Sequence, residues 1–184
     1  MRLFAAVPLP PPARDEVAGL LGRLRERELP VRWVGDEGLH LTLKFYGEVT
    51  PDRLEVIEEA VRQAGQGGEP LPLRLAELGA FPAPARPRVL WLGIDAPPAL
   101  ELLQDRLERN SEAIGFQPEG IPYRPHVTLG RVREGQRCRL SEVEDAAGSY
   151  ERLPFLASDV VLYESVATGG KPRYQPRLTL ELGR

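Results

Sequence analysis

Among its 184 residues this chain has one cysteine, one methionine, one asparagine, two lysines and two histidines. A lone Cys138 excludes an internal disulfide framework, and two histidines beside it are too few soft ligands for a structural zinc site. No run approaches the roughly 20 apolar residues of a membrane span. The N-terminal MRLFAAVPLPPPARDE breaks its short apolar run with prolines, which argues against a signal-peptide core. These absences lead to the expectation of a cytoplasmic monomer with no membrane partner and no metal or other cofactor. The formal net charge of −3 argues against a surface coated for gripping long nucleic acid, while leaving room for a local basic pocket. Nearly all the basic residues are arginines, whose planar fork suits oxyanions better than an ammonium does.

Apolar spacing predicts three firm helices. One follows Pro11-Pro12 and places Val17, Leu20, Leu21 and Leu24 on one face. A second starts at Thr50-Pro51, with Leu54, Ile57 and Val61 in line. A third follows Pro97-Pro98, carries Leu100, Leu103 and Leu107, and stops near Gly115. A fourth is expected from Ser141, with Glu144 completing a capping box. Strands are expected at RLFAAV, LPLRLAEL, RVLWLGI, DVVLYES and RLTLEL, mostly bounded by proline or glycine. VRWV, GDEG and LHLTLKF read as strand, turn and strand, that is, as a hairpin.

Both histidines stand in the same four-residue word, HLTL from His40 and HVTL from His126. With five threonines in the chain, Thr at +2 from both histidines is about a one-in-a-thousand coincidence. Shifting the sequence by the 86 positions between them (126 minus 40) also brings Leu3 onto Val89, Phe4 onto Leu90, Val17 onto Leu103 and Leu54 onto Leu140. An internal duplication follows. The expected fold is α+β, a two-lobed pseudo-symmetric duplication in which each lobe is an antiparallel sheet flanked by helices, with an active-site cleft between lobes. Residues 1–184 form one bilobal domain, with halves near 1–80 and 88–164 and a C-terminal strand at 176–183. FPAPARP from Phe81 crosses between the halves.

Strand alternation sends His40 and Thr42 to one face, and His126 and Thr128 likewise, with Leu41, Leu43, Phe45, Val127 and Leu129 turned to the core. A groove between the halves then holds two imidazoles and two hydroxyls. Imidazole titrates near neutrality, so one copy can take a proton while the other gives one. Threonine hydroxyls can donate to phosphate oxygens, and arginines can carry the charge stabilisation without a metal. Arg131 and Arg124 flank the second motif as candidate phosphate contacts. Strict alternation would turn Arg131 away from the groove, so its role requires a bend near Gly130.

HLTLKF followed by YGE, together with PYRPHVTLGR, RLFAAVPLP and PRVLWLGI, resembles the paired H-x-[TS]-x signature of the 2H phosphoesterase superfamily. Within it, the resemblance is to the RNA 2′,3′-cyclic phosphodiesterases, also called the 2′-5′ RNA ligase family. It implies a bilobal fold of two antiparallel sheets with both histidines in the central cleft. It also implies hydrolysis of a 2′,3′-cyclic phosphate end of RNA, tRNA fragments included, to a 2′-phosphate. By this likeness His40 is the general acid and His126 the general base, Thr42 and Thr128 hold phosphate oxygens, and Arg131 assists. Reversible ATP-independent ligation follows as a minor activity.

The resemblance leaves substrate orientation open. On the histidine faces, Lys44 and Tyr46 after the first motif stand where the second has Gly130 and Val132, so the symmetry is expected to break at the rim. Tyr46 or Tyr123 could stack on a base. Gly169-Gly170-Lys171, with Arg173, reads either as a basic loop over RNA or as a solvated hairpin. A small cyclic nucleotide, such as an ADP-ribose cyclic phosphate, is an alternative substrate, and a non-catalytic module for RNA ends is an alternative role.

Overall fold

The computed structural model describes residues 1–168 and 171–183; Gly169, Gly170, Arg184 and the side chains of Thr168 and Lys171, and with them the two readings of the glycine stretch, lie outside the described residues. In chain order the first half runs β1 (Arg2–Pro8), α1 (Pro11–Arg25), β2 (Val31–Trp33), β3 (His40–Glu48), α2 (Leu54–Gly65) and β4 (Leu71–Phe81). The second runs β5 (Val89–Asp95), α3 (Pro98–Ala113), β6 (His126–Val132), α4 (Leu140–Ala147), β7 (Pro154–Ala157) and β8 (Asp159–Thr168), followed by β9 (Lys171–Glu181).

The helices form where proline and apolar spacing place them. Proline occupies the first positions of α1 and α3, where a missing N–H costs nothing. Val17, Leu20, Leu21 and Leu24 of α1, and Leu100, Leu103 and Leu107 of α3, are buried. Gly115, at a φ of 95°, takes the chain out of α3 in a conformation other residues avoid. Thr50 supplies no side-chain cap; Pro51–Arg53 first makes a 3-10 turn, and α2 proper begins at Leu54. Helix α4 begins one residue before the expected Ser141. Its box is closed by Glu142, whose carboxylate accepts the Arg139 N–H at 2.6 Å, and not by Glu144.

All strand pairings are antiparallel, in the order β7-β4-β5-β6-β3-β1-β8-β9, with β2 on β6. Read from the middle, β6, β5 and β4 mirror β3, β1 and β8. The last strand of the first half therefore pairs with β5 of the second, and β8 returns to β1 of the first. Neither sequence half is a lobe by itself. Helix α1 packs with α4 on the β4 side, and α2 with α3 on the β3 and β8 side. What the resemblance implied as two sheets is one curled sheet joined at a single rung, Leu41 opposite Val127. These two positions are 86 apart, so the rung lies on the pseudo-twofold axis.

The expected hairpin of VRWV with the first motif does not form. Beyond the rung β3 and β6 diverge, and the backbone groups of β6 left free by that divergence need partners. β2 supplies them, setting Val31, Arg32 and Trp33 opposite Val132, Arg131 and Gly130, while Asp36–Gly38 turns the chain back to β3. A Cβ on Gly130 would lie 2.7 Å from both Trp33 and Val31 side chains, so glycine admits this close approach.

Two β-bulges matter most. Ala5 faces Lys44 but Ala6 faces Thr42, leaving Leu43 as an extra residue; Leu90 faces Gly130 but Trp91 faces Thr128, leaving Leu129 extra. Leu43 and Leu129 are equivalent under the repeat. The ladders also show that the first strands align at a shift of 85, not 86, since Phe4 faces Phe45 where Val89 faces Arg131. A one-residue difference in register exchanges the two faces of a strand. Phe4 therefore lines the cleft, while Leu90 is buried in the core.

The bulge at Leu43 removes Lys44 from the histidine face. Its ammonium is buried under α3, 1% exposed, 2.7 Å from Glu108 Oε2 and 2.9 Å from the Gln117 carbonyl. Cutting a buried pair strands the remaining charge, at a cost of roughly 3–5 kcal/mol. Lys44→Met is thus expected to lower unfolding stability by about that amount in urea titration, with Lys44→Met/Glu108→Leu recovering most of it. A wild-type midpoint for the single variant would contradict the assignment.

Candidate active site

Each histidine opens its strand immediately before the joining rung, so the two rings flank it. Their Nδ1 atoms lie 2.7 Å from the carbonyls of Gly38 and Arg124, in each case two residues back. A carbonyl only accepts, so Nδ1 carries the proton and donates. Nε2 of each ring is left with its lone pair for chemistry. The contact is local and has the same partner position and length in the two copies.

Aromatic packing holds the rings further. Phe4 stacks on His40 at 4.7 Å between centroids, and Tyr174 meets it edge-on at 5.3 Å. On the other side Phe81 meets His126 edge-on at 5.1 Å, with Trp91 at 5.8 Å. The outer strand of each lobe contributes in the same way. Tyr163 of β8 lies 6.4 Å from His40 in the place that Phe81 of β4 takes beside His126. Trp91 Nε1 is buried with no hydrogen-bond partner. Thr42 and Thr128 sit half-buried, two residues along the same face from their histidines.

Burial pushes the His40 pKa down to about 4; the Gly38 carbonyl opposes the shift, and positive charge on His126 adds to it. Burial also lowers His126, where the Arg124 carbonyl and then Glu119 favour the imidazolium. Each imidazole is therefore neutral near pH 7, and the rings are close enough for the charge of His126 to bear on His40. An entering phosphate anion would favour the imidazolium of both.

The second bulge returns Arg131 to the histidine face, since Val89 and Trp91 share a side and pair with Arg131 and Thr128. The bend that strict alternation required near Gly130 is this extra Leu129. Arg131 is exposed, and its charge, after that of Arg2, restrains the burial-driven rise of the Tyr174 pKa, so it is felt across the cleft beside His40. Arg124 is exposed and serves through its carbonyl.

Two expected contacts are corrected. Tyr46 lies away from the cleft, 7% exposed, with its hydroxyl 3.0 Å from Ser111 Oγ and its ring against Phe116 at 4.9 Å. Burial pushes its pKa up to about 12. It cannot stack on a base, because the bulges in β3 turn it under α3. Tyr123 donates its hydroxyl to the Thr42 carbonyl at 3.0 Å, tying the loop before β6 to β3, and burial raises its pKa. Its ring packs against the core and its hydroxyl is committed to that brace. Val132, the supposed counterpart of Tyr46, lies opposite the buried Val31.

The structure adds residues that the motif reading missed. Phe45, 43% exposed with the Arg2 guanidinium 5.0 Å above its ring, lies on the cleft face where the second half has Arg131. Arg32 stands opposite Arg131 on the same face. The bulge hid the first and the non-local pairing of β2 hid the second. The symmetry thus breaks at Phe45 against Arg131, and not at Lys44 and Tyr46 against Gly130 and Val132.

Fold and site together define a duplicated sheet protein with one histidine per repeat in a shared cleft, the arrangement of the 2H phosphoesterases. A family model described as LigT-like phosphoesterase matches the chain twice, over residues 7–91 and 92–174. The chain belongs to that family. It is 36% identical over 175 residues to the RNA 2′,3′-cyclic phosphodiesterase of Methanothermobacter thermautotrophicus, covering 95% of each chain. It is 30% identical over 182 residues to the Escherichia coli protein of the same name, covering 95% of this chain and 93% of that one. Among solved structures, TT0787 of Thermus thermophilus matches with a TM-score of 0.83 at 25% identity, covering 99% and 98% of the two chains. E. coli LigT complexed with 3′-AMP matches with a TM-score of 0.77 at 27% identity, covering 100% and 98%. No helix among the described residues is long and apolar enough to cross a membrane.

The depressed pKa of His40 bears on stability. The unfolded chain takes up its proton near the ordinary value of 6.5, whereas the native ring resists protonation down to about pH 4. This contribution is fully present above about 6.5 and is lost as pH falls through that window, by up to about 3 kcal/mol. Unfolding titrations of wild type and His40→Gln at pH 7 and pH 4.5 are expected to show a steeper acid loss for wild type. Equal slopes would contradict the burial assigned to this ring.

Proposed function

We propose that this protein hydrolyses 2′,3′-cyclic phosphate ends of RNA to 2′-phosphates by two-histidine acid–base catalysis. The supporting observation is the pair of Nδ1-anchored imidazoles, each presenting Nε2 to one cleft beside a threonine. The names of its relatives support cyclic phosphodiesterase activity, and the complex of the E. coli relative with 3′-AMP supports a nucleotide as the ligand class.

In the proposed reaction a water oxygen attacks phosphorus while the bond to the 3′ oxygen breaks. His126 takes the water proton, and His40 gives its proton to the departing 3′ oxygen, leaving a 3′-hydroxyl and a 2′-phosphate. Thr42 and Thr128 donate to the non-bridging oxygens, and Arg131 balances the charge that builds there. The same steps in reverse, with a 5′-hydroxyl in place of water, give ATP-independent 2′-5′ ligation as a minor activity. One observation favours the exchanged roles: Glu119 supports a proton on His126, whereas His126 opposes one on His40. A substrate with a better leaving group at the 3′ position separates the two assignments, because it rescues only the variant lacking the acid.

The function is tested by incubating the protein with an RNA ending in a 2′,3′-cyclic phosphate, with EDTA present, and identifying the product. A 2′-phosphate end is expected. Turnover of an ADP-ribose cyclic phosphate but not of RNA would move the substrate to small nucleotides, and binding without turnover would leave only a module for RNA ends. His40→Ala and His126→Ala are each expected to lower kcat by about 10²–10⁴ with wild-type-like Tm; full activity in either would refute the mechanism.

A further inference from the structure

We propose that a pocket beside the cleft, walled by Arg86, Arg88, Arg137 and Arg139, is a second phosphate site that grips the RNA backbone upstream of the reacting end. The proposal rests on the reading of the cleft as a site for RNA termini. The pocket encloses about 590 Å³ between the crossing loop after β4 and the turn before α4. Both walls are fixed by backbone hydrogen bonds. Arg88 N–H donates to the Phe81 carbonyl at 2.7 Å, Arg86 N–H to Ala83 at 3.1 Å, and Leu140 N–H reaches across to Pro84 at 3.0 Å. Gly135, at a φ of 74°, makes the turn of the opposite wall, where Gln136 N–H donates to the Arg133 carbonyl at 3.0 Å.

The charge in this pocket has no structural use. Glu142 is the carboxylate in its lining, and one of its oxygens is engaged by the Arg139 N–H at 2.6 Å. Among the described residues, the guanidinium groups of Arg86, Arg88 and Arg137 make no hydrogen bond or ion pair. Arg25, Arg62, Arg109, Arg152 and Arg177 do pair with carboxylates. Holding unpaired arginines around one concavity, in a chain of net charge −3, concentrates positive potential there. Planar forks without an aromatic platform suit phosphate oxygens and do not read bases. The grip is therefore independent of sequence.

The pocket is tied to one wall of the cleft through the backbone. Arg88 directly precedes Val89, which faces Arg131, and its carbonyl accepts the Val132 N–H at 3.0 Å. Phe81, which anchors Arg88, is the ring set edge-on against His126. The proposed path takes a strand whose cyclic end lies between the histidines past Arg131 to this basic wall.

The test uses Arg86→Gln/Arg88→Gln/Arg137→Gln, leaving Arg139 in place because its main chain caps α4. Binding of a fluorescent 12-nucleotide RNA with a 3′-phosphate is measured by anisotropy across a salt series, alongside turnover of 2′,3′-cyclic AMP and Tm. We expect RNA affinity to fall about 10-fold or more at low salt, with the log–log salt slope shallower by about two. Turnover of the mononucleotide and Tm should stay at wild-type values. Unchanged RNA affinity and slope would overturn the proposal, as would a parallel loss of mononucleotide turnover. It also fails if the variant loses affinity for added ATP while keeping its RNA affinity, because the pocket would then serve a free nucleotide. Salt-dependent RNA binding by a wild type that turns over no cyclic phosphate would instead leave the pocket standing and remove the functional reading.

Discussion

The two lobes of the sheet touch through one backbone rung, Leu41 opposite Val127, and the rest of the molecule is arranged around it. Both side chains of that rung are fully buried, so it is anchored from the helix side. On either side of it β3 and β6 part, which opens a cleft without breaking the sheet. The exchange of β4 and β8 between lobes then ties each half of the chain into both walls. A cleft built this way has two walls that neither half could form alone. Because His40 and His126 immediately precede the rung residues, the rung also sets where the two rings stand relative to each other.

Electrostatics in this cleft follow from the same geometry. Packing under Phe4, Tyr174, Phe81 and Trp91 removes water from the imidazoles and lowers their pKa values. The Nδ1 hydrogen bonds recover part of that loss and fix the tautomer, leaving the lone pair on Nε2. An anion entering between two neutral rings would favour a proton on each. In the proposed mechanism that coupling would let a pair of like groups take opposite roles, with Glu119 favouring the proton on the His126 side.

The helices, most strands and the duplicated motif were legible because each is written in local periodicity or in a repeated word. Thr42, Thr128 and both histidines followed from alternation alone. Lys44, Tyr46 and Phe45 did not, because an extra residue at Leu43 reverses the faces of the residues directly after it, and nothing in KFYGE distinguishes a bulged strand from a regular one. The same device at Leu129 returned Arg131 to the cleft, which alternation had denied it. β2 was misassigned for a different reason. Its neighbours in sequence suggest a hairpin, but its partner is decided by an edge of β6 that opens only once the lobes have joined. Non-local pairing of this kind leaves no mark in a window of ten residues.

The central claim is that His40 and His126 act as one unit on a single phosphate. Its most direct test compares kcat for cyclic phosphate hydrolysis in His40→Ala, His126→Ala and the double variant, all measured with the same substrate. Groups acting as a unit lose most of their effect when either is removed. A double variant within about 10-fold of the slower single one is therefore expected. A double variant whose loss is the product of the two single losses would contradict the claim, since the histidines would then contribute independently.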